Sequence, residues 1–251
     1  VSQFGVESWM DQYEEGAKYN ITDTCAKPLS LAELFSLAGE DRADFMERFF
    51  AREQTYGTIF GSEKVKKEIS RLYESISPEE ILTEHGATGG NQHIFFSLIR
   101  PGDRVIALSP SYQQFYSAPE ALGAEVTVLR LRRENGYLPD LDELSRAAAR
   151  GVRMICLNNP NNPTGSLIPA DMMEDIVAIA RRAGAYLFCD EVYSGVSIDG
   201  ASTPSVADLY EKGIATGSMS KAFSLAGLRL GWLATHDRQA LAQFRRVRDY
   251  D

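Results

Sequence analysis

Two kinds of segment alternate along the chain from about residue 80 onward. Short, mostly apolar runs are typical of strands that are buried on both faces, and longer stretches carry apolar residues at helical spacing. The apolar runs predict strands at 104–108, 124–131, 152–157, 185–189 and 213–217. The stretches with helical spacing predict helices at 90–99, 141–150, 169–182 and from 237 onward. This alternation predicts an α/β domain with a mostly parallel sheet that helices cover on both sides.

The segment before about residue 50 has a different pattern. Residues 7–19 form a charged amphipathic stretch, and residues 29–37 predict a short helix. Neither stretch has the apolar run of a buried strand. We therefore predict an N-terminal arm, or part of a smaller domain, over residues 1–48, and the α/β domain over residues 49–251.

Polar and glycine-rich clusters follow four of the predicted strands. They begin at Ser109, Asn158, Asp190 and Ser218. In open α/β sheets, ligands bind outside the carboxyl ends of the strands. Four clusters at one sheet edge predict a single site there, and such a site favours an enzyme over a structural protein.

Composition narrows the range of partners. The chain has 251 residues, of which 44% are hydrophobic and 24% charged, as in ordinary globular proteins. Its formal charge of −9 argues against nucleic acid as a main partner, because phosphate backbones require a basic surface. No apolar run approaches the roughly 18–20 residues that cross a bilayer. The first residues also lack the pattern of a signal peptide, so we expect a cytoplasmic protein.

The cysteines and histidines do not have the spacing of a metal site or of a Cys-x-x-Cys pair. The three cysteines form no Cys-x-x-Cys pair, and Cys156 and Cys189 lie inside apolar runs, so we expect both to be buried as small hydrophobic residues. The three histidines lack the spacing of metal ligands. We expect no metal site.

Three motifs carry a resemblance to a known family. The strings NNPNNPTG at 158–165, CDEVYSG at 189–195 and SMSKAFSLAGLRLGW at 218–232 occur in the order and spacing of class I/II aminotransferases. The resemblance covers about residues 50–235. It implies the large domain of a fold-type I enzyme that uses pyridoxal 5′-phosphate (PLP). It also implies a homodimer whose subunits share the active site.

The resemblance implies catalytic roles for three residues. Lys221 matches the family's Schiff-base lysine, and its amine would also move the substrate proton as general base and acid. Asp190 matches the carboxylate that pairs with the ring nitrogen, and Tyr193 matches a donor to the phenolic oxygen. Alone, each residue has an ordinary interpretation: a solvated lysine, a turn carboxylate and a buried tyrosine.

Further residues are implied to hold the cofactor. Asn162 matches the second donor to the phenolic oxygen, and Tyr112 matches the aromatic residue that stacks on the ring. For the phosphate, the hydroxyl of Ser218 and the guanidinium of Arg229 match the family's ligands. The string Gly89-Gly90-Asn91 is predicted to open a helix whose N-terminal amides suit an anion. Tyr56 resembles the tyrosine that reaches the phosphate of the partner subunit.

The pattern departs from the family at both ends of the chain. Residues 20–30 read NITDTCAKPLS where most members carry a Gly-Glu-Pro loop over the substrate. The stretch from Phe4 to Trp9 looks like enzymes related to capreomycidine synthase, which act on arginine derivatives. The arginine that binds the substrate carboxylate lies in a C-terminal small domain in the family, and we expect that domain to be missing from this chain.

Three functions remain open at this stage. The leading one is transfer of an amino group from an amino acid to a 2-oxo acid. Another PLP reaction on the same scaffold is the main alternative: elimination by a β- or γ-lyase, cyclisation or oxidation, perhaps of an arginine derivative. A non-catalytic PLP-binding homologue is less favoured because Asn162, Asp190, Tyr193, Lys221 and Arg229 are all present.

Overall fold

The computed structural model describes residues 2–250, which form one seven-stranded sheet and flanking helices. The strands are β1 (Ile81–His85), β2 (Arg104–Ser109), β3 (Glu125–Arg130), β4 (Met154–Asn158), β5 (Tyr186–Asp190), β6 (Gly213–Ser218) and β7 (Leu230–Ala234). The helices are α1 (Gly5–Tyr13), α2 (Leu31–Ala38), α3 (Arg42–Phe50), α4 (Glu63–Ser70), α5 (Gly86–Leu98), α6 (Gln114–Ala121), α7 (Leu141–Ala148), α8 (Ala170–Ala183), α9 (Val206–Leu209) and α10 (Arg238–Arg248).

The sheet is mostly parallel, as predicted. Its strand order is β1-β7-β6-β5-β4-β2-β3, and β7 runs antiparallel to both of its neighbours. The other neighbouring pairs in this order are parallel. The carboxyl ends of β4, β5 and β6 therefore meet at one edge, and the start of β7 lies at that same edge.

The core occupies both faces of the sheet, because successive side chains of each strand point to opposite sides. On β2, Val105 and Ala107 pack with the apolar residues of α5, α6 and α10. Ile106 and Leu108 pack on the other face with residues of α7 and α8. Burial on both faces explains why these strands read as continuous apolar runs. Cys156 and Cys189 are fully buried, as predicted.

Glycine sets two helix boundaries. Helix α8 ends at Ala183, and the next residue, Gly184, caps it with a left-handed φ of 65°. Helix α5 begins at Gly86, not at the Gly89-Gly90 pair, so the predicted start at residue 90 is wrong. Gly86 has a φ of 71° and donates its N–H to the Arg229 carbonyl oxygen at 2.9 Å. The chain therefore turns directly from β1 into the helix.

The N-terminal segment lies against the α/β domain. The Gly5 N–H donates to Oε1 of Gln113 at 2.8 Å, and Nε2 of Gln113 donates to the Gln3 carbonyl oxygen. Further along, the Leu29 N–H donates to the Ser224 carbonyl oxygen, in the loop that follows Lys221. Helices α1, α2 and α3 bury none of their residues completely. A boundary between residues 48 and 49 stays a prediction, and the outer limits of the two ranges, Val1 and Asp251, lie outside the described residues.

No helix within residues 2–250 has the length and apolar character needed to cross a membrane.

Candidate active site

A cavity of about 630 Å³ lies at the carboxyl edge of the sheet. Each of the four polar clusters predicted to converge contributes to its wall, with residues that include Ser109, Asn158, Asp190 and Ser218. Lys221 lines the same cavity. The four clusters therefore meet at one cavity, and its role as the functional site stays a prediction.

Asp190 presents a buried carboxylate at the end of β5. It is 5% exposed, and its register partners are Asn158 on β4 and Thr216 on β6. Its Oδ1 accepts from the Val192 N–H at 3.2 Å, and its Oδ2 accepts from Nδ2 of Asn91 at 2.9 Å. Burial raises the pKa of Asp190 to about 6, against the opposing effects of these two donors and the Lys221 charge. Within residues 2–250 no cation forms an ion pair with this carboxylate.

The amine of Lys221 contacts the N-terminal segment. Its Nζ lies 3.1 Å from Sγ of Cys25 and 3.3 Å from Oγ1 of Thr24, and 6.0 Å from the centre of the Tyr193 ring. Burial lowers the pKa of Lys221, but the contact with Cys25 and the Tyr193 and Asp23 charges outweigh it, so the net shift is upward.

The guanidinium of Arg229 and the first turn of α5 lie at one corner of the cavity. Ala87 and Thr88, in the first turn of α5, line the cavity, and so does Arg229. The Arg229 guanidinium donates to the Ala226 carbonyl oxygen at 3.0 Å and to Oγ of Ser220 at 3.4 Å. It has no carboxylate partner among the described residues. Free amides at a helix start and an unpaired guanidinium suit a phosphate group.

Gly89, Gly90 and Asn91 do not line the cavity. Because α5 begins at Gly86, its first free amides belong to Ala87 and Thr88, and the three predicted residues fall deeper in the helix. The Asn91 side chain contacts Asp190 instead.

The asparagines of the 158–165 loop have different tasks. Asn158 accepts the Asn162 N–H at 2.7 Å and donates to the Asp190 carbonyl oxygen at 2.8 Å. Asn159 accepts from the Ile168 N–H, and Asn161 donates to the Pro110 carbonyl oxygen. These three amides therefore hold the loop. Asn162 lines the cavity, and its side chain forms no hydrogen bond within residues 2–250, so it is free to bind a ligand.

Aromatic residues close the remaining sides of the cavity. The half-buried Tyr112 ring packs against Phe4 of the N-terminal segment, with ring centres 5.0 Å apart. The Tyr193 hydroxyl donates to Oγ1 of Thr24 at 3.0 Å. Tyr56, by contrast, is 99% exposed and does not line the cavity.

Sequence reasoning missed the part that the N-terminal segment plays in the site. Residues between Phe4 and Cys25 form one wall of the cavity. The sequence gave two signals in this segment, the departure of residues 20–30 from the expected loop and the resemblance of residues 4–9. Neither indicated that Thr24 and Cys25 contact Lys221. Within the described part of the chain, no group of three or more His, Cys, Asp and Glu side chains is arranged to hold a metal ion.

Two unpaired opposite charges define the class of ligand that this cavity suits. The Asp190 carboxylate lies at the end of β5, and Arg229 lies at the start of β7, with β6 between them. At the usual spacing of neighbouring strands, the two strand ends are about 10 Å apart. A flat molecule with a cationic ring atom and a phosphate fits this arrangement, and a lysine amine is present on the wall.

Comparison with known proteins identifies the family. The family model for aminotransferase class I and II matches residues 45–250, so the chain belongs to that family. PLP is the cofactor of this family, and the charges and donors of the cavity fit it.

Curated relatives match only part of their own length. An LL-diaminopimelate aminotransferase from Syntrophobacter fumaroxidans is 34% identical over 156 residues, which cover 61% of this chain and 40% of that protein. An aspartate aminotransferase from Thermotoga maritima is 27% identical over 183 residues, which cover 72% of this chain and 48% of that protein. The chain spans about half the length of the curated relatives it matches.

Solved structures share the fold over the whole chain. A PLP-dependent aminotransferase from Streptococcus suis is 44% identical with a TM-score of 0.95, covering 100% of this chain and 66% of that one. The PLP-dependent cyclase OrfR is 24% identical with a TM-score of 0.87, covering 99% of this chain and 64% of that one, and it shows the fold alone.

Proposed function

We propose that this chain provides the cofactor-binding domain of a PLP-dependent aminotransferase that moves an amino group from an amino acid to a 2-oxo acid. The observation that carries the proposal is the pair of unpaired charges, Asp190 and Arg229, on one cavity wall that also presents Lys221. A cavity without a ligand of matching charges would leave a buried carboxylate uncompensated, which is costly.

Each part of the cofactor has residues suited to it. Arg229, the Ser218 hydroxyl and the first free amides of α5 would hold the phosphate. Asn162 and Tyr193 would donate to the phenolic oxygen, and Tyr112 would cover one face of the ring. When bound, PLP supplies an electron-accepting ring that stabilises negative charge at the substrate Cα.

The chain's own residues then control two protons. At pH above about 6, Asp190 is a carboxylate, and it would hold a proton on the ring nitrogen through a charge-assisted hydrogen bond. The Lys221 Nζ would anchor the cofactor covalently and, once free, would move the proton at the substrate Cα. Before it can anchor the cofactor, Lys221 must lose its own proton and its contacts with Thr24 and Cys25.

Binding of the cofactor therefore requires residues 24–25 to release the amine. The Tyr193 hydroxyl also donates to Thr24, so the same release frees a predicted donor for the phenolic oxygen. The position of the N-terminal segment therefore controls whether Lys221 and Tyr193 are free to contact the cofactor.

Tyr56 supports a proposal about assembly. Its ring is almost completely exposed and lies apart from the cavity wall of its own chain. We propose that it reaches the site of a second copy in a homodimer. Sedimentation of the cofactor-bound protein should show a dimer, and Tyr56→Phe should weaken PLP binding without changing the sedimentation. A fully active monomer would contradict this.

The experiment that tests the function combines spectroscopy with product analysis. PLP added to the purified protein should give an absorption band that shifts when an amino donor is added, with one keto acid formed per amino acceptor consumed. Lys221→Ala should abolish both signals, and Lys64→Ala, a change at an exposed lysine of α4, should leave them unchanged. Release of ammonia without an acceptor would favour a lyase or an oxidase, and turnover by Lys221→Ala would refute the proposal.

A further inference from the structure

A buried chain of polar side chains lies behind Asp190. Asn91 on α5 and Thr216 on β6 are both 0% exposed. Thr216 Oγ1 donates to Oδ1 of Asn91 at 2.8 Å, and Nδ2 of Asn91 donates to Oδ2 of Asp190 at 2.9 Å. The three residues belong to three different elements, and Thr216 is also the register partner of Asp190.

The partners of the Asn91 amide set its orientation: Asp190 and Gln114 accept at the NH₂ end, and the Thr216 hydroxyl donates to the oxygen end. A hydroxyl has one hydrogen to donate, and an amide has one end that accepts and one that donates. Because Oδ1 of Asn91 takes the Thr216 hydrogen, the NH₂ end faces the carboxylate. The NH₂ group also donates to Oε1 of Gln114 at 3.1 Å, and Nε2 of Gln114 donates in turn to the Thr88 carbonyl oxygen. A reversed amide would turn its oxygen toward the carboxylate and toward Oε1 of Gln114, so both of these hydrogen bonds would be lost and the Thr216 hydroxyl would have to accept instead of donate.

We propose that Asn91 is a positioning residue for Asp190, oriented by Thr216, which keeps the carboxylate ionised and directed at the cofactor's ring nitrogen. This inference rests on the proposed function. It replaces the phosphate-binding role that the sequence suggested for Asn91.

Some of the other titratable groups that face Asp190 favour its charged form, and others disfavour it. The charge of Lys221 favours the carboxylate form. Glu191, whose own pKa is raised by burial to about 7, repels it, as do the Tyr112 and Cys189 side chains when ionised. Apart from the Val192 N–H on the other oxygen, the Asn91 amide is the donor within residues 2–250 that holds the carboxylate in its charged form.

The test measures the pKa of Asp190 in the full chain after removal of cofactor, by ¹³C NMR of labelled aspartate carboxyls assigned with Asp190→Asn. Asn91→Leu removes the donor at similar volume, and we expect the Asp190 pKa to rise by about one to two units. Thr216→Val removes the orienting hydroxyl and should produce a smaller rise, and Thr216→Ser should restore the original pKa. Thr235→Val is the matched control, since Thr235, the residue directly after β7, is equally buried but donates its hydroxyl to the Gly213 carbonyl oxygen.

Cofactor affinity gives a second readout. At pH 7 the Kd of Asn91→Leu for PLP should be about tenfold higher than that of the unmodified protein. The ratio of the two values should shrink as the pH rises to 9, because the carboxylate of the variant then ionises. A purely structural loss would leave that ratio constant with pH.

The outcomes separate this inference from the proposed function. An Asp190 pKa that is unchanged in Asn91→Leu overturns the positioning role. If that variant does not fold, an unchanged pKa in Thr216→Val overturns it equally. A raised pKa in a protein that binds no PLP refutes the proposed function and leaves the positioning of Asp190 standing.

Discussion

Replacement of Asp190 by asparagine is expected to stabilise the cofactor-free protein and to weaken its binding of PLP. The carboxylate is buried without a cationic partner among the described residues, and its pKa is raised from 3.8 to about 6. One pKa unit corresponds to 1.36 kcal/mol, so ionised Asp190 costs the folded state about 3 kcal/mol at neutral pH. Asparagine has almost the same shape and carries no charge.

The pH dependence distinguishes this cause from a general packing effect. A carboxyl group whose pKa is higher in the folded than in the unfolded state favours folding only while the folded form keeps its proton. The contribution of Asp190 to the free energy of unfolding therefore falls as the pH rises from about 4 to about 6, and the fall is complete above about pH 7. Asp190→Asn removes that loss, so its advantage should be small at pH 4 and largest at pH 7 and above.

Thermal unfolding of the cofactor-free protein measures the effect. For a chain of this size about 3 kcal/mol corresponds to a rise in Tm of roughly 6–10 °C at pH 8. The matched control is Asp175→Asn, the same change at an exposed position of α8, which should alter stability by less than about 0.5 kcal/mol. An advantage of Asp190→Asn that is equal at pH 4 and pH 8, or absent at pH 8, would refute the reasoning.

Two further variants test the proposed phosphate site at Arg229 and the close packing of Gly231 against the start of α5. Arg229→Gln should weaken PLP binding by about tenfold to a hundredfold, because charge-assisted contacts with the phosphate are lost, and it should leave the affinity for pyridoxal, which has no phosphate, unchanged. An equal loss for both ligands would count against the assignment. Gly231→Ala should destabilise the protein by about 1–3 kcal/mol in urea unfolding, because an added Cβ would collide with the backbone of Gly86 and Ala87 at the start of α5. Gly227→Ala meets no atom within 4 Å, so a similar loss in that variant would contradict this reason.

The apolar pattern predicted the parallel centre of the sheet well, because strands buried on both faces require continuous apolar runs. It missed β1 and β7, at one side of the sheet. The string of β1, ILTEH, ends in polar residues, and β7 begins within the string GLRLGW that was interpreted as part of a family motif. Both strands depend on pairing with partners distant in the sequence, which local periodicity does not reveal.

The residues on the cavity wall were predicted better than the contacts behind it. Lys221, Asp190, Asn162 and Arg229 all line the cavity, although their roles stay proposals. Asn91 was assigned to the phosphate because a glycine pair was interpreted as a helix start. The true start depends on the left-handed Gly86 and its bond to the Arg229 carbonyl oxygen, a contact that only the folded chain creates.

The N-terminal segment was the least predictable part. Its helices bury no residue completely, so their amphipathic pattern did not indicate which surface they cover. The contacts that place it over the site join residues more than 100 positions apart, such as Gly5 with Gln113 and Thr24 with Tyr193. Local sequence patterns do not reveal contacts between residues so far apart in the chain, because these contacts form only when the chain folds.

The most direct test of the central claim is to locate the covalent attachment of the cofactor. PLP is bound to the purified protein, the bond to the lysine is fixed by reduction with borohydride, and the labelled peptide is sequenced by mass spectrometry. One labelled site is expected, at Lys221, with no label in Lys221→Ala. A label at another lysine, or none in the unmodified protein, would contradict it.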